Sequence, residues 1–367
     1  MHRPEIAASL LPSLPTGARV LLIRLRSIGD IVLLTPVVRL LKEWRPDLRV
    51  SIVVESRFRE LLEGNPDVDE VLGLGEGYGR AKVASRVRVV REIRTRGFAL
   101  CLNLHGGPTS TLLAWSSGAR WKAGFEHFRR RGVYQILIPD ARTILGQPAI
   151  HTAEHQASAF FYLGLPRQEI PSARLVVAAG HETWWSEKRS SLGLAPGCKY
   201  AILHPTALYA TKQWAPENFA QLGGWLEREA GLRVIYSCGP GEFPVLDAVE
   251  QAAGGSIRRL AGPGLGQFAA ALGGARLFVG NDSGPAHMAA ALGRPGVVIF
   301  GSSSSPVWRP WSPVGAWRVV QNSYDCNPCP GDRCYRFERP ECILSVTFEQ
   351  VRSAVEAVLT QSAPARQ

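Results

Sequence analysis

Twice along this chain, short apolar and β-branched runs alternate with segments of helical length, and that alternation leaves few folds open. In the first series, strands are expected at Arg19–Leu25, Arg49–Val54, Glu70–Leu72 and Phe98–Asn103. Helices are expected between them at Ile31–Trp44, Phe58–Glu63 and Lys82–Thr95. In the second, the strands are Tyr200–His204, Arg233–Ser237, Leu277–Val279 and Gly296–Phe300, with helices at Pro216–Glu229, Phe243–Ala253 and Gly284–Leu292. Strands joined through helices pair in parallel and are covered on both faces. A polar stretch, Ala178–Pro196, separates the two series, and a last helix over Thr347–Leu359 precedes a frayed tail. The expected fold class is α/β, with two Rossmann-like, doubly wound domains over residues 1–178 and 179–367. Sheets of this kind hold ligands beyond the carboxyl ends of their strands, so a cleft between the domains is the first place to look.

Other classes fall away on length and pattern. A chain of 367 residues is too long for one small core, and 46% hydrophobic residues exclude a disordered chain. Apolar runs such as Val20–Ile23 and Ile31–Leu34 fall far short of the roughly 18–20 residues that a membrane span needs. Glu5, Pro12 and Pro15 interrupt the first residues, so no secretory signal is expected and the chain reads as soluble and cytoplasmic. The net charge of +11 is unevenly spread: residues 1–185 carry 25 basic and 17 acidic side chains, residues 186–367 carry 17 and 14. Arg80, Lys82, Arg86, Arg88, Arg91, Arg94 and Arg96 face only Glu92. A second basic group is Arg120, Lys122, Arg129, Arg130 and Arg131, with Glu126. Such an excess suits an anionic partner, whether phosphorylated substrate, acidic membrane or nucleic acid; a solvated arginine-rich helix explains the 80–96 run equally well. Arginine makes up 36 of the 42 basic residues, which fits genome composition as readily as function.

Three segments could carry chemistry. Arg24-Leu25-Arg26-Ser27-Ile28-Gly29-Asp30 follows the opening strand. Gly29 permits a tight turn, and Asp30 opens the next helix either as its N-cap or as a general base at the cleft. The turn lacks GxGxxG, which counts against a dinucleotide-dependent dehydrogenase. His204 to Glu217 leaves a strand through hydroxyls and one lysine, Lys212, before Pro216 starts a helix. Lys212 is one of only six lysines: a phosphate ligand, or a surface residue laying its stem on Trp214. Gly280-Asn281-Asp282-Ser283-Gly284-Pro285-Ala286-His287 runs from a strand into an alanine-rich helix whose free N–H groups and positive dipole end suit an anion. Ser283 and His287, four apart, share one helix face; the structural alternatives are a cap by Asp282 or Ser283 and a packed His287.

Taken in order, these segments resemble glycosyltransferase family 9, the ADP-heptose:lipopolysaccharide heptosyltransferases. The likeness lies at Ser27-Ile28-Gly29-Asp30, at Lys212-Gln213-Trp214 and at Gly280 to His287, with weaker echoes at Asn65 to Val71 and Ser237 to Glu242. It extends over roughly residues 18–360. The resemblance implies a GT-B fold with two Rossmann-like domains facing across a cleft, the first binding the acceptor and the second the nucleotide-sugar. It implies inverting transfer of heptose from ADP-heptose to a lipopolysaccharide-core-type acceptor, with no cofactor or metal. On the matching positions, Asp30 is the base, and Thr206 and Lys212 hold the diphosphate. Asp282, Ser283, Gly284 and His287 meet sugar and phosphates, and Glu242 contacts the ribose or sugar. The partners implied are the donor, a lipid-linked anionic glycan and the anionic inner face of the cytoplasmic membrane, with no nucleic acid. Alternatives are a GT-B transferase of cell-surface polysaccharide assembly using another nucleotide-sugar, and a non-catalytic protein that binds anionic surfaces.

Four of the seven cysteines fall in a Cys-x2-Cys-x4-Cys-x7-Cys pattern at Cys326, Cys329, Cys334 and Cys342. That spacing allows zinc or disulfides, and a reducing cytoplasm favours packed thiols over disulfides. Cys101, Cys198 and Cys238 read as buried and strand-associated. Asp67-Val68-Asp69 imitates a DxD metal motif but lies in a loop before a short strand. Asp282-Ser283-Gly284-Pro285 and Thr152-Ala153-Glu154-His155 imitate serine-protease fragments, which an α/β chain does not support.

Overall fold

The computed structural model describes residues 4–312, 317–329 and 331–361. The chain divides into two compact units, Met1–Val176 and Val177–Gln367. The first is built on β1 (Arg19–Ile23), β2 (Arg49–Glu55), β3 (Glu70–Leu74), β4 (Leu100–Asn103), β5 (Trp121–Phe125) and β6 (Ile136–Ile138). These form one parallel sheet in the order β3-β2-β1-β4-β5-β6. The second unit contains β7 (Tyr200–His204), β8 (Arg233–Cys238), β9 (Arg259–Ala261), β10 (Leu277–Asn281), β11 (Gly296–Phe300) and β12 (Trp317–Gln321). Its parallel sheet runs β12-β11-β10-β7-β8-β9, the same winding read from the other edge. Each unit therefore has the Rossmann order, in which the chain leaves the middle of the sheet in both directions.

Central strands are buried on both faces, as parallel sheets require: Val20 to Ile23, Leu100 to Asn103, Tyr200 to His204 and Leu277 to Asn281 are covered throughout. In the second unit the core closes over Trp214 and Phe219, whose rings meet edge to face, with Leu203, Val279, Ile299, Val351 and Val355.

Several expectations need correction. The helix expected at Ile31–Trp44 is two, Ile28–Val32 and Thr35–Trp44. Pro36 has no N–H to continue the first ladder, and the Thr35 hydroxyl donates to the Val32 carbonyl at 2.7 Å, closing it. The helix expected at Phe58–Glu63 is a 3-10 helix over Ser56–Leu61. The polar stretch between the series contains the helix Ala179–Ser191, which belongs to the second unit and buries Trp185, its indole N–H donating to the Tyr200 hydroxyl at 3.1 Å. Strands β5, β6, β9 and β12 were not expected; β6, β9 and β12 are edge strands, and β5 lies next to one. The tail after residue 361 lies outside the described residues. No helix among the described residues is long and apolar enough to cross a membrane.

Candidate functional site

In both units the sheet order reverses between two neighbouring strands, β1 and β4 in the first, β7 and β10 in the second. The loops leaving those strand ends diverge to opposite faces and open a crevice between them. Asp30 follows β1, the Thr206–Lys212 loop follows β7, and Asp282 to His287 follow β10, so the three segments sit at these switch points.

The second unit draws its candidates into two hydrogen-bonded sets. In one, the Lys212 ammonium lies 2.8 Å from Asp282 Oδ2, and the same oxygen accepts from the Ser303 hydroxyl at 2.6 Å. Asp282 is nearly buried while Lys212 keeps a partly open face. An ammonium has three N–H donors, and one is spent on Asp282; the rest suit a phosphate. In the other set, His204 Nδ1 lies 2.9 Å from the Ser237 hydroxyl and Nε2 lies 2.8 Å from the Thr206 hydroxyl. Burial holds the His204 imidazole neutral, its pKa lowered to about 4. The tautomer then decides what Thr206 can do. If Nε2 carries the proton, it donates to Thr206 and leaves that hydroxyl able to donate to a ligand. Ser237 hydroxyl also reaches the Leu203 carbonyl at 3.4 Å, longer than its contact to the ring. Glu242 lies within electrostatic reach of His204, and its carboxylate accepts the Gly239 N–H at 2.8 Å.

Both sets hang on one buried side chain. Asn281, at the end of β10, donates to the Pro205 carbonyl at 2.8 Å and accepts the Trp214 N–H at 3.1 Å. It thereby ties the loop that carries Thr206 and Lys212 to the strand that delivers Asp282. Ser283 occupies the N-cap of the helix Gly284–Ala291 in an extended conformation, and His287 is buried on that helix. The Cys-rich segment closes the same region: Cys329 N–H donates to the Ser302 carbonyl at 3.0 Å, and Thr211 hydroxyl donates to the Gly331 carbonyl. The four clustered cysteines line a cavity of about 200 Å³, and all seven thiols are free. Among the described residues, no group of three or more His, Cys, Asp or Glu is disposed to hold a metal ion. Burial and the neighbouring thiols push the Cys342 thiol up to about 11. Cys101 and Cys238 are buried on strands, whereas Cys198 is only half-buried and precedes β7 in a turn.

In the first unit Asp30 sits at the third position of Ile28–Val32 rather than opening a helix; Ser27 takes the cap. One carboxylate oxygen, Oδ2, accepts the Ser27 N–H and hydroxyl, both at 3.0 Å. The other is ion-paired with Arg24, whose guanidinium also donates to the Leu104 carbonyl beyond β4. Gln156 donates to the Asp30 backbone carbonyl at 2.9 Å. The carboxylate is thus held from both sides and about one-seventh exposed. Burial, then Arg24 and Arg26, lower the pKa of His105, beyond β4. Burial, then His127 and Arg24, lower the His155 pKa to about 4; its ring stacks on Phe125 with centroids 4.3 Å apart. At Gly106, φ is +74° and a Cβ would meet the Phe128 ring at 2.3 Å, so only glycine passes there.

Arg24, His105, Gln156, Asn281 and Ser303 were not singled out from sequence, and His155 was set aside as part of a protease imitation. Arg24 and Asn281 lay inside the quoted motifs; Gln156 reaches Asp30 from 126 residues away, Ser303 reaches Asp282 from 21, and His105 carries no local signature. Asp67-Val68-Asp69 is structural: Asp69 accepts from Lys42 at 3.0 Å and from the Val50 N–H at 2.7 Å.

A family model described as "Glycosyltransferase family 9 (heptosyltransferase)" matches residues 86–336. "Lipopolysaccharide heptosyltransferase 3" of Escherichia coli strain K12 is 26% identical over 351 residues, covering 92% of this chain and 96% of that protein. Among solved structures, the family 9 glycosyl transferase from Veillonella parvula aligns with a TM-score of 0.80 at 22% identity, over 94% of this chain and 98% of that one. The E. coli ADP-heptose LPS heptosyltransferase II aligns at 0.76 and 20% identity, over 94% and 99%. At these identities the structural likeness speaks for the fold, which is of the GT-B type.

Proposed function

We propose that this chain, which belongs to glycosyltransferase family 9 and is a glycosyltransferase, moves a heptose from ADP-heptose to a lipopolysaccharide-core-type acceptor with inversion. The observation that carries the reading is the Lys212 ammonium, held by Asp282, which Ser303 braces, beside the N-terminus of Gly284–Ala291. A fixed cation and a helix dipole at a switch point are what a departing nucleoside diphosphate requires.

In this reading the second unit binds the donor and the first the acceptor. The Asp30 carboxylate takes the proton of the acceptor hydroxyl as its oxygen bonds to the anomeric carbon. The bond from that carbon to the diphosphate breaks, and its electron pair leaves on the diphosphate, against Lys212. Thr206 supplies a hydroxyl donor when His204 carries its proton on Nε2. Ser283, Gly284 and His287 face the sugar and phosphates, and Glu242 the ribose or sugar. Asp282 would repel a diphosphate if it met one directly. With Oδ2 already engaged by Lys212 and Ser303, it orients the ammonium and leaves Oδ1 for a sugar hydroxyl. The relatives' names support the heptose and lipopolysaccharide assignments; the core-type, lipid-linked acceptor met at the inner face of the cytoplasmic membrane is what the family resemblance implies.

Calorimetric titration with ADP, UDP and GDP tests the donor first. Selective ADP binding is expected, followed by transfer from ADP-heptose. Preference for UDP or GDP would overturn the heptose donor and favour another nucleotide-sugar of surface polysaccharide assembly. No binding by any of the three would overturn the enzyme site as built here.

A further inference from the structure

The helix Gly79–Arg96 buries one side and decorates the other in an unusual way. Val89 and Ile93 are fully buried, which satisfies the core. On the opposite side Arg80, Val83, Val87, Arg91 and Arg94 follow steps of three, four, four and three residues, one continuous stripe on an α-helix. Its centre is apolar, with Val83 59% and Val87 43% exposed, and its ends are cationic. The neighbouring helix Pro108–Ser116 runs alongside: Arg86 donates to the Thr109 hydroxyl at 2.9 Å near its start, and Arg94 lies against Gly118 just past its end. That helix exposes Leu112 and Trp115, three apart, with Trp115 66% exposed. Tyr78, at the N-cap of Gly79–Arg96, stands almost entirely in solvent.

The charges on this helix are only partly compensated among the described residues. Arg88 pairs with Glu92, and Arg96 with Glu70. No carboxylate among the described residues pairs with Arg80, Arg91 or Arg94. Two adjacent helices thus present an apolar centre with a tryptophan, bordered by Arg80, Arg91 and Arg94, with which no carboxylate among the described residues pairs.

We infer that this two-helix face docks on an anionic lipid bilayer. Guanidinium groups meet lipid phosphates, while Trp115, Leu112 and the two valines enter the boundary between headgroups and acyl chains. A nucleic acid would answer the arginines but leave the apolar centre against a sugar-phosphate backbone. The inference deepens the reading of a lipid-linked acceptor: it names the surface that would bring the first unit to that acceptor. It is measured without sugar nucleotide, so failure of one leaves the other standing.

The test is cosedimentation of the full chain with phosphatidylcholine vesicles, with and without phosphatidylglycerol, at low and raised salt. Binding to the anionic vesicles alone, weakened by salt, is expected. Each arginine near such a surface is worth about fivefold in affinity, so Arg91→Gln with Arg94→Gln costs about 25-fold. Leu112→Ala with Trp115→Ala is expected to cost at least about tenfold through lost insertion. All four side chains are exposed or at the surface, and an unchanged melting temperature verifies that each variant is folded. Absence of binding at low salt overturns the inference, and so does wild-type binding by either double variant. Loss with the arginine pair alone, together with displacement by duplex DNA, would also overturn it in favour of a nucleic-acid surface.

Discussion

Asn281→Ala is the most informative single change in the second unit. The side chain is fully buried and bridges two backbone groups on the loop after β7, the Pro205 carbonyl and the Trp214 N–H. Alanine leaves both buried and unpaired. Each orphaned group costs about 1–3 kcal/mol, so the opening of this loop becomes easier by about 2–6 kcal/mol, toward the lower end if a water enters the vacated space. Hydrogen exchange at the Trp214 amide reads that opening directly, with protection expected to fall by about 30-fold or more. Because the same loop carries Lys212, ADP affinity is expected to fall at least about tenfold as the ammonium loses its fixed position. Asn281→Asp makes the control: its carboxylate still accepts from Trp214 but has no proton for Pro205, so it retains one bridge at the expense of a buried charge. Exchange at Trp214 within twofold of the parent in the alanine variant would refute the claim that Asn281 organises the loop. Faster exchange with unchanged ADP affinity would refute the link from loop order to the ligand.

Four further outcomes follow from the geometry. Asp30→Asn keeps the side-chain shape but loses the base, and is expected to cut transfer by about 10²–10⁴ while ADP affinity stays the same; wild-type turnover would remove Asp30 from that role. Lys212→Ala removes a charged donor worth about 1.5–3 kcal/mol, so ADP should bind about 10–150 times more weakly; equal affinity in a titration would take it out of the site. His204 and His155 both have folded pKa values of about 4, below the ordinary 6.5 of histidine, so the unfolded chain takes up protons first as pH falls. Stability is then complete above about pH 6.5 and is lost between there and about 4, at most about 3 kcal/mol per histidine; a melting temperature flat from pH 7 to about 4.5 would contradict both. At Gly301 a Cβ would lie 2.2 Å from the Thr211 carbonyl oxygen, so Gly301→Ala must displace the backbone next to Lys212, and an unchanged ADP affinity would show that this contact is not needed.

What could be read from sequence follows from how local each feature is. The two strand-helix series emerged because central parallel strands are apolar on both faces and stand out against amphipathic helices. Strands β5 and β6 did not, because Trp121–Phe125 holds a lysine and a glycine and Ile136–Ile138 is three residues long. The helix Ala179–Ser191 was hidden by its polar composition: only Trp185 is buried, and a single anchor leaves no periodic signal. In the candidate site, Asp30, Lys212 and Asp282 could be singled out because a strand end, a turn residue and a helix start come in fixed order. Their partners could not. Ser303 reaches Asp282 from 21 residues on, and Gln156 reaches Asp30 from 126 away, so each depends on the sheet being wound before it has a neighbour.

That distinction bears on how the site works. A carboxylate aimed at an acceptor hydroxyl, or an ammonium aimed at a diphosphate, gains from being fixed before the ligand arrives, since reorganisation would otherwise be spent at the moment of reaction. In each unit the group that would act is local in sequence, and at least one bond that braces its surroundings reaches across a switch point. Arg24 stands on the β1 side and donates across to the Leu104 carbonyl beyond β4, while Asn281 ends β10 and grips the loop beyond β7. The winding order therefore opens the crevice and also supplies the bonds that hold its rim. A loop graft carrying the Lys212 segment alone would on this argument lack its phosphate affinity, because the Asp282, Ser303 and Asn281 contacts come from strands that the graft leaves behind.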